Sequence, residues 1–585
     1  MVVSTIPVSN NGGMGTAEFL SFARQVVVGR WFSLFASFLV MTGAGSFFLF
    51  PHFSKDIKET LKCDQTTLNK IGFYKDLGSN VGIISALLGG ILPSWCLLVL
   101  SSAVNFIGHF KIWEAVTGKV VRPTVEYFCF YFAVGGNSQT LANTVVLVTC
   151  VKNFPERRGV ILGLLKGFLG LGGAVLTQVY YAIYGHDTKS LILLIAWLPS
   201  LISLIFAYAI REVTIVKHPN EFRVFTQFLS VSLILALFLT ILIFLQREVR
   251  FDELTHVSVV TAIMGLLLLP LLIAIREELV QWNLNKITKL RKSLTLPQIS
   301  ISAPKLNNPS FQTDSFFQNI FNKPKRGEDY TVLQAILSID MLILYMTMII
   351  GIGSSFTAMD NFGQIGESQG YSNESLDSII SIVSIFNFCG RIFSGFASEI
   401  LLEKFKFPRP LMLTFTLLIS CIGHILVAFP FHHSLYIASI ITGFALGSQI
   451  PLYYAMISEI FGLKHYSFLY NFGQLSCPIG TYVLNVLVAG KFYDQEAKTS
   501  AYSSQFKCEG ELCYRNSFVI LTGISLLGAA ISLILVRRTS EFYRGDIYKK
   551  FREDMDSLKT DMKLYAIDCK ISDNVVRRQG TTPMR

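Results

Sequence analysis

A charged side chain inside a long apolar helix costs on the order of 3 kcal/mol or more, unless it faces a cavity, a substrate or a partner. Two cations in this chain stand in that position. Lys166 interrupts RGVILGLLKGFLGLGGAVL, and Arg391 interrupts SIFNFCGRIFSGFASEI. Paired cations in apolar surroundings point to electrostatic capture of a small anion, a chemistry in which no bond is made. Arginine keeps its charge, and its planar fork matches a carboxylate. Asn387 lies four residues before Arg391 and therefore on the same helical face. Lys166 sits about 10–12 Å from its helix end, near the limit of snorkelling to the headgroups. Snorkelling for Lys166 and an interhelical ion pair for Arg391 are the structural alternatives.

Other polar residues in apolar runs extend the constellation. Gln139 and Asn143, with Asn137, fall in one run, Gln449 in another, and Asn471 and Gln474 in a third. They are expected to line a solute path or to bond neighbouring helices. Asp340, in SIDMLILY, is the candidate for proton coupling, because burial makes a carboxyl titratable near neutrality; a salt bridge is its competing role. Gly395 and Glu399, followed by Lys404, Lys406 and Arg409, form a G-x-x-x-acid turn with a basic tail. The glycine permits close helix approach, and the acid can accept bonds from a neighbouring helix terminus, so the pair reads as a gate. Glu459 reads as a second latch on the same side. Lys75 and Asp76 are adjacent in a further run.

Several chemistries are missing from the sequence. There is no P-loop, GxSxG or HExxH motif, so neither ATP hydrolysis nor enzymatic hydrolysis is expected. No Cys/His cluster has metal-ligand spacing, so no metal or cofactor is expected. Most of the ten cysteines lie in apolar runs as small fillers. Cys508 and Cys513 share a loop and form a candidate disulfide if that loop meets an oxidising compartment. Asn373-Glu374-Ser375 is an N-glycosylation sequon.

The elements that must position these residues are membrane spans. Of 585 residues 51% are hydrophobic and only 15% charged, against about 25% charged in a soluble domain. About fourteen stretches are long and apolar enough to cross a bilayer, and they group as six, two, six. They fall near 31–51, 71–92, 95–115, 124–150, 159–183 and 190–210; near 225–245 and 256–275; and near 332–356, 376–398, 409–429, 434–457, 466–490 and 516–536. The fold class is therefore an all-α polytopic membrane protein, since continuous apolar runs argue against the alternating segments of a β-barrel. The net charge of +11 resides largely in loops. The positive-inside rule accounts for it, and no nucleic-acid partner is expected.

Loop charges set a topology. Lys152, Arg157 and Arg158, then Arg211, Lys217 and Arg223, and then Lys404, Lys406 and Arg409 fall in even-numbered loops, while loop 358–375 holds Asp360, Glu367 and Glu374 without a Lys or Arg. Both termini are expected in the cytoplasm, although Lys55, Lys58, Lys62 and Lys70 run against the pattern. The expected divisions are a cytoplasmic segment 1–29, a first six-helix bundle 30–211, two extra spans 212–275, a basic linker 276–331, a second six-helix bundle 332–537 and a tail 538–585. The Ser/Asn/Pro-rich linker is expected to be largely disordered, a tether or a docking point for a cytoplasmic partner or kinase. The tail contains Tyr548-Lys549-Lys550-Phe551, the form of a tyrosine sorting signal too short to assign a compartment. Asn137-Ser138-Gln139 and Gly447-Ser448-Gln449 occupy matching places in the two halves, the kind of echo found in carrier repeats.

Longer stretches resemble one family. RWFSLFASFLVMTGAGSFFLFPHFS, YKDLGSNVGI, GGNSQTLANTVVLVTCVKNFPERRGVILGLLKG, GIGSSFTAMDNFGQIGESQGY, NFCGRIFSGFASE and SEIFGLKHYSFLYNFGQ are similar to the plant nodulin-like, nuclear-fusion-defective-four-like branch of the major facilitator superfamily. The resemblance implies two six-helix bundles that rock about a central solute site, with the two middle spans inserted between them. The superfamily's gate signature matches at Gly395 and Glu399; its first-half copy, Gly89-Gly90-Ile91-Leu92-Pro93-Ser94, lacks the acid. A looser similarity to oxalate and monocarboxylate carriers rests on Arg391, in the second helix of the second bundle. Where some of those carriers have a lysine in the fifth helix of that bundle, this chain has Asn471 and Gln474, and its lysine, Lys166, lies in the first bundle.

The expected function is secondary active transport of a small organic anion by alternating access. A membrane scaffold or sensor that keeps the carrier fold, or a carrier of another small solute, is the alternative. The chain is expected to act as a monomer in the bilayer, in a plasma or vacuolar membrane.

Overall fold

The computed structural model describes residues 16–63, 65–185, 187–213, 221–249, 251–294, 323–499, 508 and 510–548. These residues are helical with no strand among them. In order, α1 is Thr16–Val28 and α2 Arg30–Ala44, which passes through a 3₁₀ turn (Gly45–Leu49) into α3, Phe50–Leu61. Next come α4 (Gln65–Asn80), α5 (Ile83–Ile91), α6 (Ser94–Val116), α7 (Val125–Asn153), α8 (Arg158–Tyr184) and α9 (Thr188–Phe206). The central pair is α10 (Glu221–Glu248) and α11 (Glu253–Leu294). The second half holds α12 (Val332–Ile336), α13 (Ile339–Ser368), α14 (Asn373–Phe405), α15 (Arg409–Ala428), α16 (Ser434–Phe461), α17 (Tyr466–Gln474), α18 (Ser476–Thr481), a π-helical stretch (Tyr482–Gly490), α19 (Lys491–Thr499) and α20 (Leu512–Arg544).

Twelve of the described helices are long and apolar enough to span a bilayer. The other two expected spans are also helical. One is broken into α4 and α5, and the other, α7, is more polar. The break at Val81-Gly82 frees backbone carbonyls that a bilayer cannot solvate. Asn137 of α7 donates to the carbonyls of Gly78 (3.3 Å) and Val81 (3.0 Å), and Thr140 to that of Ser79 (2.7 Å). The polar run in α7 thus supports a broken neighbour. The matching Ser448 of α16 donates to the Gly390 carbonyl of α14 at 3.2 Å. In both halves the fourth helix lies backbone to backbone on the second: a Cβ on Gly136 would sit 2.6 Å from the Lys75 carbonyl oxygen, and one on Gly447 would collide with that of Asn387.

The helices begin and end where local chemistry dictates. Thr331 and Gln334 form a capping box on α12, and the Ser338 hydroxyl accepts from the Met341 amide at 3.0 Å to start α13. The expected span 332–356 therefore starts late, at Ile339, and runs on to Ser368, which takes Asp360 out of its expected loop and into the helix. Residues 276–294, expected in the disordered linker, instead continue α11. They are good helix formers, and the helix is engaged there: Glu278 accepts from the Trp31 amide (3.4 Å), and the ring of Trp282 meets that of Phe22 in α1 at 5.9 Å. The rest of the linker through residue 322 lies outside the described residues. Residues 323–331 are docked on α16: the Gly327 and Tyr330 amides donate to the carbonyls of Ile460 (2.9 Å) and Phe461 (3.1 Å), and the Asp329 carboxylate accepts from the amides of Leu463 and Lys464.

The central pair packs on α2 and α8 of the first half. Gln178 and Gln246 exchange two amide hydrogen bonds (3.0 and 2.8 Å), a polar contact not foreseen for the central spans, and Arg30 pairs with Glu221 at 2.7 Å. The start of α2, the start of α8 and the end of α20 share one face, here the termini face. On the opposite, far face Cys508 and Cys513 are joined as a disulfide. Helix α14 begins at Asn373, behind a Ser372 N-cap; the Asn373 side chain lies outside the described residues.

Candidate functional site

Lys166 and Arg391 meet where α8 of the first half crosses α14 of the second. Both are buried, 5% and 4% exposed. The Arg391 guanidinium donates through Nη1 to the backbone carbonyl of Lys166 (2.7 Å) and through Nε to Asn387 Oδ1 (2.7 Å). Lys166 Nζ donates to the Tyr470 hydroxyl at 2.9 Å and stands 5.6 Å from the ring centre of Tyr454. Gln474 donates to the same Tyr470 hydroxyl. Among the described residues neither cation has a carboxylate within ion-pair distance. The tyrosine faces and the Asn387 amide meet part of the cost of burial, and the remaining positive potential is free to attract an anion.

A second contact between the halves flanks this pair. Asn471 of α17 exchanges hydrogen bonds with Thr144 of α7 (2.9 and 3.1 Å) beside the break at Gly82. Asn143, next to Thr144, is buried with no partner for Oδ1. The structure thus brings together Lys166, Arg391, Asn387 and Gln474, with Asn471 and Asn143 alongside. Gln139 lies elsewhere, in a chamber of about 40 Å³ inside the first half, lined also by Lys75, Asn105 and His109, with room for about two or three waters. Its Oε1 has no partner. Gln449 is turned into the second half, donating to Ser420 at 3.3 Å, away from the cation pair.

Asp340 takes the ion-paired arrangement that stood against proton coupling in the sequence reading. It lies on the termini face between Arg326 (2.8 Å) and Arg538 (2.5 Å), an interhelical ion-paired carboxylate tying the linker end to α20. Asp76 of α4 and Asp360 of α13 are exposed carboxylates near the far face. Asp76 pairs with Lys75 at 3.2 Å, and Asp360 lies within electrostatic reach of both.

The termini face is shut. Gly163 and Gly159 of α8 lie against Gly395 of α14; a Cβ on Gly163 would stand 2.8 Å from the Arg391 carbonyl oxygen, and one on Gly395 2.7 Å from that of Gly159. Glu399 accepts from the Gly159 amide at the start of α8 (3.3 Å), so an acid of one half caps a helix of the other. Arg409 is fully buried. Its Nη2 pairs with Glu399 (2.7 Å), its Nε with both oxygens of Glu459 (2.8 and 2.9 Å), and its Nη1 with Ser398. Arg157 pairs with Glu403 at 2.5 Å, and Arg158 donates to the Ser458 carbonyl at 2.5 Å. Gly395 makes the close helix approach, and Glu399 the contact with a neighbouring helix terminus, that the sequence motif allows. Arg409, read from sequence as a loop charge and as part of the motif's basic tail, stands at the centre of these contacts. Tyr454 and Tyr470 went unnoticed, although Tyr466 and Tyr470 stand one helical turn apart beside Asn471.

Two helical halves meeting over a buried polar site, with one face closed by a charge network, form the fold of the major facilitator superfamily. The structure is similar to that of the proton:xylose symporter XylE bound to 6-bromo-6-deoxy-D-glucose, with a TM-score of 0.52 at 12% identity, covering 90% of this chain and 96% of that one. A double-tryptophan XylE mutant gives 0.51 at 13% identity, covering 88% and 96%. Within that class the chain belongs to the nodulin-like, nuclear-fusion-defective-four-like family: residues 30–275 match the Nodulin-like model, and 328–544 match that of the NFD4 C-terminal domain. The first match takes in α10 and the part of α11 up to residue 275. The chain is 24% identical over 555 residues to Protein NUCLEAR FUSION DEFECTIVE 4 of Arabidopsis thaliana, covering 91% of this chain and 92% of that protein. It is 26% identical over 204 residues to Probable transporter MCH1 of Yarrowia lipolytica, covering 33% of this chain and 41% of that protein.

Proposed function

We propose that this integral, multi-pass membrane protein is a secondary carrier of a small organic anion, working by alternating access. The observation that carries the reading is the pair of buried cations, Lys166 and Arg391, contributed by different halves and left without a carboxylate partner among the described residues. An anion bound there neutralises both halves at once and so couples its occupancy to their relative motion. The termini face is the cytoplasmic one in this reading, as the loop charges suggest. The closed gate then makes the structure an outward-facing state. MCH1, a probable transporter by name, and the symporter fold of XylE support a carrier role.

The test is a mass-spectrometric screen of solutes accumulated by cells expressing the chain, against Arg391→Gln and Lys166→Ala variants. One or more monocarboxylates or dicarboxylates should accumulate with the parent and fall at least about tenfold in either variant, as expected when a charge-assisted contact of about 1.5–3 kcal/mol is lost. Unchanged accumulation of every transported anion defeats the reading.

Proton coupling in this reading belongs to Asp360, beside Asp76 and Lys75, because Asp340 is engaged by two arginines. Asp360→Asn is expected to abolish accumulation against a gradient while leaving counterflow of labelled solute intact. Loss of both together would assign Asp360 to folding or to solute binding.

A further inference from the structure

Past α20 the chain runs through Gly545 to Tyr548, whose side chain is planted in the closed termini face. The Tyr548 hydroxyl donates to Glu459 Oε1 at 2.9 Å and lies 3.5 Å from Arg409 Nη2. The guanidinium of Arg158, from α8, covers its ring at 5.6 Å. Tyr543 donates to the other oxygen of Glu459 at 3.0 Å. The Asp546 carboxylate accepts from the Tyr548 amide (3.3 Å), which fixes the turn that delivers the ring. Burial, and then the charges of Glu399 and Glu459, hold the Tyr548 phenol well above its ordinary pKa, so it remains a hydrogen-bond donor.

These contacts come from both halves. Arg158 belongs to the first, Glu459 and Arg409 to the second, and Tyr548 touches all three. Parting α8 from α14 and α16 must break either the ring contact or the hydroxyl bond. We propose that residues 545–548 form an intramolecular latch, with Tyr548 as its key, that holds the termini-face gate shut and must withdraw before that face opens. The sorting-signal form of Tyr548-Lys549-Lys550-Phe551 then overlaps a gate element, and a protein or modification that captures Tyr548 competes with closure. The inference rests on the carrier reading, in which the halves separate, but it needs no substrate to be tested.

Hydrogen–deuterium exchange on the full-length protein in nanodiscs reads the gate directly, in the parent and in Tyr548→Ala, Tyr548→Phe and Arg409→Gln. Loss of the latch should speed exchange of amides in 156–163 and 395–405 about fivefold in Tyr548→Ala, with an intermediate rise in Tyr548→Phe. Arg409→Gln should raise the same segments at least as much. If Arg409→Gln accelerates them and both Tyr548 variants match the parent, the latch is overturned and the gate stands. If none of the three changes exchange, the carrier reading of this face falls with it. Should Tyr548→Ala also loosen far-face segments such as 426–440, Tyr548→Phe decides, since it keeps the ring and removes only the hydroxyl: faster exchange confined to the gate supports the latch, and parental exchange overturns it.

Discussion

Replacing Arg409 by glutamine is expected to cost the closed state about 3–5 kcal/mol, the penalty for removing one partner of a buried ion pair. The arginine stands between Glu399 and Glu459, all three buried. Without it two carboxylates face one another in a site with little water to screen them. A carrier holds its access states within a few kcal/mol of each other, so the loss should appear as an opened termini face as well as a lower melting temperature. The double variant Arg409→Gln/Glu459→Gln removes one of the stranded charges and should recover a large part of the loss. A single Arg409→Gln variant as stable as the parent, with no rescue to measure, would show that the network does not hold this face. Thermal unfolding of the three purified proteins checks it.

Leucine at Gly163 or Gly395 should have an effect of similar size by a different route. Here the two halves touch through backbone, with the Gly395 Cα 3.0 Å from where a Gly163 Cβ would stand. An added isobutyl group cannot be absorbed by a rotamer change, because the neighbouring atoms are main chain, and overpacking of this kind costs about 1–3 kcal/mol or more. Gly163→Ala should be milder, and Gly163→Leu should hold the termini face apart. The Arg157–Glu403 ion pair offers a gauge. Cysteines at those two positions should be bridged by a bifunctional thiol reagent, its spacer matched to the two side chains they replace, in an otherwise parental background and at least about tenfold less in the Gly163→Leu background. Equal cross-linking in both would mean that α8 and α14 do not need the glycine contact to close.

The sequence made the membrane class legible because apolar length is a strong signal, and glycine spacing with an acid was enough to mark Gly395 and Glu399 as a place where two helices approach closely. Lys166 and Arg391 stood out because charge in an apolar run has few explanations. Direction was harder to read. Whether Gln449 faces a path or the interior of its own bundle depends on helix rotation, and α16 is buried almost all round, so periodicity carries no orientation. Asp340 was left between proton coupling and a salt bridge because its partners, Arg326 and Arg538, are 14 and 198 residues away and could not be named from the sequence. Arg409 was grouped with loop lysines for a related reason: its glutamates arrive from two other helices, and only their convergence turns a loop charge into a buried centre. Tyr454 and Tyr470 were overlooked because aromatic residues in spans are ordinary, until the Tyr470 hydroxyl is found bonding Lys166 with the Tyr454 ring beside it.

The segment 323–331 gives the long polar loop a mechanical outlet. Its backbone is stitched to Ile460 and Phe461, the two residues that follow Glu459, and Arg326 is tied through Asp340 to Arg538 on α20. A pull on this segment would therefore reach the turn that carries Glu459 and the helix that leads to Tyr548. In the proposed carrier, solute would act on the halves from their interface and the loop from outside them, so the same closure could be biased by two inputs that share no atoms.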